Sequence, residues 1–590
     1  MGAFILTAKT NIQATEAGLQ TLMSDKGFKE PRIVSFADFV VYQYDKIISD
    51  ESHYREKNNC HFFFSGTPIY KNAASISSSI DSIVDAILNN NFNFNNVRGA
   101  YAVLFTNAKA EFSMLTDQAG IFNVYYNSSF TAFSNLFLAT IFATPGKLSF
   151  NRFAATEVMM SGRQVGPDSL LNEIKKYEVF TDKGSLGPVT IVNDDKLVSP
   201  VHSKRSGFDT QVDEQIKALD DYFSDIKPFA ENYGIDSGIT GGHDSRMMLI
   251  LLKRHISNFS LHSLWRKKED VELSVAKNVA AAAKIHLNIT PVKHHFDKTD
   301  SEMSDNLSNA LLFYDGHIRM HCFLTEEYNT PKHRLEIMGN KRLGMNGIGG
   351  EQYRNEEHME VSRWPMSYFI KYFLAYHLGG TSFTDSRYEE EFFTYLKNKI
   401  VKRLGLDPKA NHISRADVKR YMNEIYVTSL MSARTNAENQ LTHFITPYVD
   451  RQLTLSAYHA LPHLGISFAF QQAMIRKMDP QLAGVRSGYG YDFNEGEPLK
   501  KKLKYIVKEL TPRNVYQSKL DKAIDNKGND EFNLFLEKFP VLRSSVELLR
   551  EYKIPLDEKR LSSCPDLMPV YLSLAYFLKY LNTRNKLQGA

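Results

Sequence analysis

Short apolar runs that alternate with polar turns dominate the first 200 residues of the chain. Four of them read RIVSFADFVVYQY, CHFFFSGTPIY, AYAVLFTNAKAEFSMLTD and GIFNVYYNSSFTAFSN, in which TNAKAE and YNSS are typical of hairpin turns. Two helical patterns interrupt the strands, at about 15–25 and 75–90. This mixture predicts stacked β-sheets with flanking helices. The polar, aperiodic segment 193–211 predicts a linker, so that one unit spans 1–200 and a second spans 206–590.

The pattern changes after residue 212, where apolar strands and amphipathic helices alternate. A helix over DEQIKALDDYFSDIKPFAENY leads into the strand GIDSGIT, and a second strand, NFSLHSLW, precedes the helix DVELSVAKNVAAAAKI and a third apolar stretch, HLNITPV. Strands that alternate with helices in this way are typical of a parallel sheet covered on both faces. Beyond about residue 355 the pattern is almost entirely helical, with aromatic stripes at helical spacing that predict a core.

Composition and charge exclude several classes of protein. The 590 residues are 43% hydrophobic and carry a formal net charge of only +4 with no basic stripe, so we expect large cores and no nucleic acid partner. No apolar run approaches the ~18 residues that a membrane span requires. The cysteines Cys60, Cys322 and Cys564 lie too far apart in sequence for a zinc site or a disulfide framework. We therefore expect a soluble, cytoplasmic protein that spans no membrane.

The most informative stretch is TGGHDSR, residues 240–246, which joins the strand GIDSGIT to an apolar helix. Gly241 and Gly242 let backbone N–H groups approach a ligand, and the positive end of the following helix points at the same place, so the turn suits an anion. It is neither a Walker loop nor a dinucleotide turn, because both need other glycine spacings. A plainer alternative is that Asp244 only caps the helix, but this leaves the glycines and Arg246 unexplained.

A second glycine-rich turn, NGIGGEQ, follows the apolar stretch RLEIMGNKRLGM and contains the carboxylate of Glu351. A divalent ion that neutralises phosphate oxygens is held by acidic side chains, and Asp244 and Glu351 would supply two of them. The alternative is that Glu351 is only an acid at a helix N-terminus. Taken together, the two turns predict a site for pyrophosphate and Mg²⁺.

These two turns, in this order, resemble those of the asparagine synthetase family. TGGHDS resembles the family's Ser-Gly-Gly-x-Asp-Ser signature, and NGIGGEQ resembles its Ser-Gly-Glu-Gly-x-Asp-Glu turn. LHSLW, YDGHIR and FITPYVDRQL resemble the family's adenine-binding strand, its Tyr-Asp segment and its Val-Pro-Phe-Leu-Asp segment, so that the likeness covers most of 210–490. Residues 1–200 also resemble the family's glutaminase domain.

The resemblance implies an α/β protein with two units. The first, 1–200, would be a degenerate glutaminase-like domain with the αββα sandwich of the Ntn hydrolases. The second, 206–590, would be an ATP-pyrophosphatase domain of the adenine nucleotide α-hydrolase type, with a parallel sheet and a large helical extension. Family glutaminases use a cysteine directly after the initiator methionine as nucleophile, whereas this chain has Gly2. We therefore expect no glutaminase activity, as in the similar β-lactam synthetases and lasso-peptide cyclases.

The resemblance also implies roles for individual residues. Tyr314 in YDGHIR would be catalytic. Arg246 is an addition to the family's motif, and as a fixed bidentate cation it would hold phosphate or a substrate carboxylate. The family lysine that stabilises acyl transfer is missing, and Arg486 is the candidate replacement, with a loop anchor as the alternative role. The other residues carried over are Thr240, Gly241, Gly242, Asp244 and Ser245 for pyrophosphate, Leu264, Asn346 and Gly347 for the nucleotide, and Asp244 and Glu351 for Mg²⁺.

The activity that the resemblance implies is amide ligation through adenylation. ATP would activate a substrate carboxylate as an acyl-AMP, and an amine or ammonia would then attack the carbonyl. The acid would belong to a small molecule, a peptide or a sugar acid, and homodimer formation is left open. Two alternatives remain: a pyrophosphatase-loop enzyme that activates a different acceptor, and a non-catalytic scaffold descended from a synthetase.

Overall fold

The structure is a computed structural model in which a β-rich N-terminal half precedes a half built from a parallel sheet and many helices. It describes residues 2–49, 51–162, 164–193, 206–265, 270–292, 297–318, 331–355, 363–374, 382–465, 467–511 and 530–589, together with residues 324, 515, 518 and 522. The central part of the predicted linker, 194–205, lies outside the described residues. In the described part of the chain, no helix is both long and apolar enough to cross a lipid bilayer.

Two six-stranded sheets and a two-stranded ribbon form the N-terminal half. The strands are β1 Ala3–Ala8, β2 Arg32–Ser35, β3 Phe39–Tyr44, β4 Tyr54–Lys57, β5 Cys60–Gly66, β6 Ile69–Tyr70, β7 Val97–Arg98, β8 Tyr101–Thr106, β9 Phe112–Thr116, β10 Tyr125–Asn127, β11 Ala132–Ser134, β12 Ile174–Lys176, β13 Ser185–Leu186 and β14 Val189–Ile191. The orders are β12-β10-β11-β1-β3-β2 and β13-β14-β9-β8-β5-β4. Pairing is antiparallel except between β9 and β14.

Helices cover the outer faces of the two stacked sheets. Those of this half are α1 Lys9–Asp25, α2 Ile76–Leu88, α3 Phe137–Ala143 and α4 Arg152–Ser161. Because side chains alternate along a strand, Phe4 of β1 and Phe63 of β5 meet in the core between the sheets. Their neighbours point the other way: Ile5 packs in the core with α1 and α3, and Phe62 packs in the core with α2. The predicted stacked sheets with flanking helices are confirmed.

A five-stranded parallel sheet organises the second half. Its elements, in chain order, are α5 Phe208–Tyr233, β15 Ile235–Gly238, α6 His243–His255, β16 Phe259–Trp265, α7 Val271–Ala283, β17 Leu287–Pro291, α8 Asp300–Phe313, α9 Pro331–Met338, β18 Leu343–Met345, and later β21 His443–Ile445. The strand order is β17-β16-β15-β18-β21, and every neighbouring pair is parallel. The predicted alternation of strand and helix is thus confirmed, except that α5 begins within the predicted linker.

The rest of the chain is mostly helical, as the sequence predicts. A two-stranded ribbon and short helices surround the longer ones; the bounds are β19 Arg363–Pro365, α10 Met366–Tyr368, α11 Ser386–Leu404, β20 His412–Ser414, α12 Arg415–Arg420, α13 Val427–Leu441, α14 Arg451–Ala457, α15 Ala469–Met478, α16 Pro480–Ala483, α17 Leu499–Leu510, α18 Asp530–Lys538, α19 Pro540–Glu551, α20 Glu558–Ser563 and α21 Met568–Thr583. The aromatic rows of α21 are buried, which confirms them as core.

The two halves share their hydrophobic cores. One cluster joins α1 and α3 of the N-terminal half to α8 and α21, and a second joins β5 and α2 to α5 and α6. The rings of Phe137 and Phe577 stack across this boundary with their centroids 6.0 Å apart. The predicted units therefore form one packed structure in the described residues.

Candidate functional site

The turn between β15 and α6 has the form that an anion site requires. Gly242 precedes the helix with no side-chain cap, so that the first N–H groups of α6 are not used by a capping side chain. The hydroxyl of Ser245 closes the turn, because it accepts a hydrogen bond from the backbone N–H of Thr240 over 3.1 Å and lies 3.0 Å from the threonine hydroxyl. Asp244 lies in the first turn of α6 and is not the N-cap residue, so the alternative that it only caps the helix is wrong.

The second glycine turn packs directly against the first. A Cβ atom at Gly347 would lie 2.9 Å from the carbonyl oxygen of Asp244, and one at Gly350 would lie 2.1 Å from its carboxylate Oδ1. Between them, Gly349 has a φ of 100°, a conformation that favours glycine. These close approaches explain why both turns are rich in glycine, and they bring the two predicted clusters together.

A cavity of about 220 Å³ opens where β15, β16 and β18 end. This is the carboxyl edge of the parallel sheet, where ligands bind in open α/β folds. Two other cavities described in the chain are smaller, about 70 and 50 Å³. The predicted site residues in the cavity wall are Thr240, Asp244, Ser245, Leu264, Asn346 and Gly347.

A buried chain of charged groups forms one wall of this cavity. The carboxylate of Asp236 lies 2.9 Å from Nδ1 of His262 and accepts a 2.7 Å hydrogen bond from Nη1 of Arg334. Nε of Arg334 donates in turn to both oxygens of Glu438, over 2.9 and 2.7 Å, and Nε of Arg434 lies 3.6 Å from Glu438. Of these side chains, His262, Arg334 and Arg434 line the cavity.

This network keeps Asp236 ionised. Burial alone would raise the pKa of its carboxyl group, but the charges of His262 and Arg334 outweigh burial and lower the pKa. The sequence analysis missed these residues. The available signal was Asp236 itself, a carboxylate inside the short apolar strand GIDSGIT, because a buried charge requires a partner.

An arginine lies between the two carboxylates predicted for Mg²⁺. Nη1 of Arg354 donates to both oxygens of Asp244, over 2.8 and 2.9 Å, and Nη2 lies 3.4 Å from Oε1 of Glu351. Asp244 also accepts a 2.6 Å hydrogen bond from Nε2 of Gln471, and Glu351 accepts one of 2.8 Å from the backbone N–H of Gly349. The structure thus brings Asp244 and Glu351 together as predicted, but around a guanidinium group.

The donor set in this arrangement does not fit a magnesium ion. Mg²⁺ needs several oxygen ligands at about 2.0–2.1 Å in near-octahedral geometry. Here three hydrogen bonds from Arg354 and Gln471 reach the carboxylate oxygens of Asp244, so a metal ion would have to displace these donors. We therefore derive no step through a metal bound by Asp244 and Glu351.

The structure places Arg246 outside the cavity wall, so its role in binding an anion stays a prediction. Its side chain is fully buried, and Nη1 donates to the carbonyl oxygens of Leu482 and Val485 over 3.2 and 2.6 Å. The guanidinium carbon lies 4.3 Å from the ring centroid of Phe493, and burial lowers the pKa of the group to about 10. Arg246 therefore points away from the cavity and anchors the segment that follows α16.

Tyr314 also lies outside the cavity wall, and its catalytic role stays a prediction. Tyr314 directly follows α8, is 1% exposed and belongs to the core shared with α1, α3 and α21. Its ring centroid lies 5.1 Å from that of Phe313, and it is absent from the cavity wall. Its apolar surroundings explain its position, since burial of a large aromatic ring stabilises a core.

Arg486 lies beside the site but outside the cavity wall. It is exposed, and Nε donates to the carbonyl oxygen of Gly490 over 3.2 Å. Its loop touches the first glycine turn, because the N–H of Gly488 donates to the carbonyl oxygen of Gly241 over 3.4 Å. Gly241 and Gly242 accordingly lie next to this loop, and the role of Arg486 stays a prediction.

The position of the family's cysteine nucleophile has no room for a side chain. A Cβ atom at Gly2 would lie 2.3 Å from the carbonyl oxygen of Asp45 and 2.7 Å from the ring of Phe28. Contacts under 3.0 Å require the neighbours to move. The chain therefore lacks both the thiol and the space for one.

No protein-family model matches the chain, and no curated protein matches it. The geometry defines a mixed α/β protein with antiparallel sheets in its N-terminal half, a parallel sheet after them, and a polar cavity at the carboxyl edge of that sheet. The resemblance to the asparagine synthetase family depends on the motifs alone.

Proposed function

We propose that this chain is an ATP-dependent, AMP-forming amide ligase. The observation that carries the proposal is the pair of interlocked glycine turns at the ends of β15 and β18, which border the 220 Å³ cavity. A helix N-terminus with uncapped N–H groups next to such a cavity suits the phosphates of a nucleotide.

In this proposal, different residues of the cavity bind different parts of the nucleotide. The backbone N–H groups of the first turn, with the hydroxyls of Thr240 and Ser245, bind the pyrophosphate part of ATP. Leu264, Asn346 and Gly347 form the wall against the nucleoside. Arg434, a cation in the same wall, is then a candidate to bind the carboxylate of the substrate.

The reaction proceeds in two steps. A carboxylate oxygen of the acid attacks the α-phosphorus of ATP, the bond from that phosphorus to the β-phosphate oxygen breaks, and pyrophosphate leaves. An amine nitrogen then attacks the acyl carbon, the bond from that carbon to the phosphate oxygen breaks so that AMP leaves, and the nitrogen loses a proton to water. The amine belongs to the acid itself or to a small donor, or is ammonia, because Gly2 offers no thiol for a cysteine-dependent glutaminase.

Exchange of radiolabelled pyrophosphate into ATP, with pools of small acids, peptides and sugar acids, tests this proposal. Acid-dependent exchange by the wild type, and formation of AMP rather than ADP once an amine is added, are the expected results. Ser245→Ala should reduce exchange, because the hydroxyl that closes the turn is lost. Ser224→Ala, on an outer face of α5, is the matched control and should leave exchange unchanged. Production of ADP would contradict the proposal.

One observation favours a second candidate, a non-catalytic scaffold. The pairing of Asp244 with Arg354 satisfies a carboxylate that the family uses for metal binding. A scaffold would show no exchange with any acid and no AMP formation, whereas the ligase would show both. The same measurement therefore separates the two functions.

A further inference from the structure

We propose that Arg354 takes the place of a divalent cation between Asp244 and Glu351, so that the cavity binds nucleotide phosphates without a metal held by these carboxylates. The inference rests on the proposed function, since it concerns the same phosphate site. Its basis is the guanidinium group, which lies 2.8 and 2.9 Å from the oxygens of Asp244 and 3.4 Å from Glu351. Arg354 acts through Asp244 and is a positioning residue.

The arginine is built into the structure rather than resting on its surface. Its side chain is 7% exposed, and its guanidinium carbon lies 5.5 Å from the ring centroid of Phe468. Its carbonyl oxygen accepts a 2.7 Å hydrogen bond from Nζ of Lys419, which is itself 1% exposed. Such a buried and multiply bonded guanidinium is costly to displace, because it would be left without its charged partner.

The charges explain what the arginine contributes. Asp244 and Glu351 carry two negative charges next to the turn that would receive pyrophosphate, and Asp244 lies in the cavity wall itself. Uncompensated carboxylates at this place would repel the phosphates of ATP. Arg354 contributes one positive charge at the point where the family places its metal, and it fixes the carboxylate of Asp244 together with Nε2 of Gln471.

Titration calorimetry of ATP with the wild-type protein, in EDTA and in excess Mg²⁺, tests the inference directly. We expect ATP to bind in both solutions, with dissociation constants within about tenfold of each other. Binding that occurs only with Mg²⁺ would overturn the inference but leave the proposed function intact. Absence of binding in both solutions would overturn the proposed function, and the inference with it.

A set of charge variants tests the role of Arg354 through metal rescue. In Arg354→Met the affinity for ATP in EDTA should fall by roughly a hundredfold or more, because the carboxylates are uncompensated, and Mg²⁺ should restore it. Arg354→Lys should keep binding in EDTA, since it keeps a positive charge. A residue that only supports the fold would show the same loss in both solutions, and that result would contradict the proposal.

Two further variants guard against a trivial loss of folding. The double variant Arg354→Met/Asp244→Asn removes one charge of each sign, so it should fold and regain binding in EDTA. Failure of the double variant to bind ATP in EDTA while it binds with Mg²⁺ would overturn the inference. Arg387→Met is the matched control, because Arg387 is 88% exposed and pairs with Glu391 across a helix surface. It should leave ATP binding unchanged in both solutions.

Discussion

At the scale of single residues, Gly350 makes the contact between the two turns possible. A Cβ atom there would lie 2.1 Å from Oδ1 and 2.6 Å from Cγ of Asp244, so Gly350→Ala must displace this carboxylate from Arg354. We expect ATP affinity to fall and stability to drop by about 1–3 kcal/mol, the usual cost of overpacking. Calorimetry with ATP and urea unfolding measure the two effects.

The control for Gly350 is Gly207→Ala. Gly207 precedes α5, and a Cβ atom there would meet only the hydroxyl of Thr210 at 4.0 Å. This variant should match the wild type in both measurements. Equal behaviour of the two alanine variants would contradict the interlocked arrangement of the turns.

The ion network in the cavity wall gives a second prediction. Asp236→Asn removes a charged partner of the buried Arg334. We therefore expect a decrease of about 3–5 kcal/mol in the free energy of unfolding. This difference in stability should be complete at neutral pH, because the pKa of Asp236 is lowered in the folded state. It should decrease as the pH falls below ~3.9, the pKa of an aspartate in the unfolded chain. Urea unfolding near pH 7 is the measurement.

An exposed pair provides the comparison for Asp236. Asp221 pairs with Lys217 on the surface of α5, with both side chains more than half exposed. Asp221→Asn should cost at most about 1 kcal/mol. If Asp236→Asn cost no more than this, the buried network would not support the cavity wall.

The sequence correctly indicated those cavity residues whose position follows from the course of the backbone. It failed for residues whose position depends on the direction of the side chain. Thr240, Ser245 and Gly347 belong to glycine turns at strand ends, whose position follows from the strand-helix alternation. Arg246 shares the motif, yet it points to the far side of α6, because one more helical residue turns the side chain by about 100°. Arg334 was missed because it meets Asp236 across 98 residues of sequence.

At the scale of elements, long periodic segments were predictable and short ones were not. The strands β15, β16 and β17 follow from apolar runs between helices. The strands β18 and β21 have three residues each, too few to show a period, although they complete the sheet beside β15. The stretch RLEIMGNKRLGM even contains the end of helix α9 before β18 begins.

The loop between α16 and α17 carries the third prediction, on Arg486. Its side chain is exposed and makes a single hydrogen bond within the loop, whereas Arg246 makes the contacts that hold the preceding segment. Arg486→Ala should therefore leave the melting temperature unchanged. If Arg486 replaces the family lysine, exchange with the identified acid should slow by roughly 10²–10³-fold, and Arg486→Lys should keep part of the activity.

The matched comparison for this loop is Arg246→Met. Removing that guanidinium frees the carbonyl oxygens of Leu482 and Val485, so thermal stability should fall. Loss of stability in Arg486→Ala together with normal exchange per folded molecule would identify Arg486 as the loop anchor instead.

At the scale of the whole molecule, the N-terminal half packs into one structure with the second half. Its sheets share two cores with that half, and a Cβ atom at Gly2 would crowd Asp45 and Phe28. The stacked sheets were predictable from alternating apolar residues. Their fusion with the second half was not, because contacts such as Phe137 with Phe577 join positions that are 440 residues apart.

The boundary between the halves predicts acid sensitivity through His443. This histidine of β21 is 2% exposed, packs on Tyr233 and lies 3.6 Å from Glu51 of the N-terminal half. Burial, with a smaller effect from Lys46, lowers the pKa of His443 to about 3 against the opposing effect of Glu51. The folded state thus keeps the imidazole neutral while an unfolded histidine gains a proton below about pH 6.5.

Stability from His443 should therefore be present above about pH 6.5 and be lost as the pH falls below it. At about pH 5.5 the loss from this one group is about 1.4 kcal/mol relative to pH 8. The free energy of unfolding of His443→Gln should fall by about 1.4 kcal/mol less than that of the wild type between these two pH values, as measured by urea unfolding. His286→Gln, at an exposed position, is the control and should follow the wild type. An unchanged pH dependence in His443→Gln would show that this boundary does not exclude the charged imidazole.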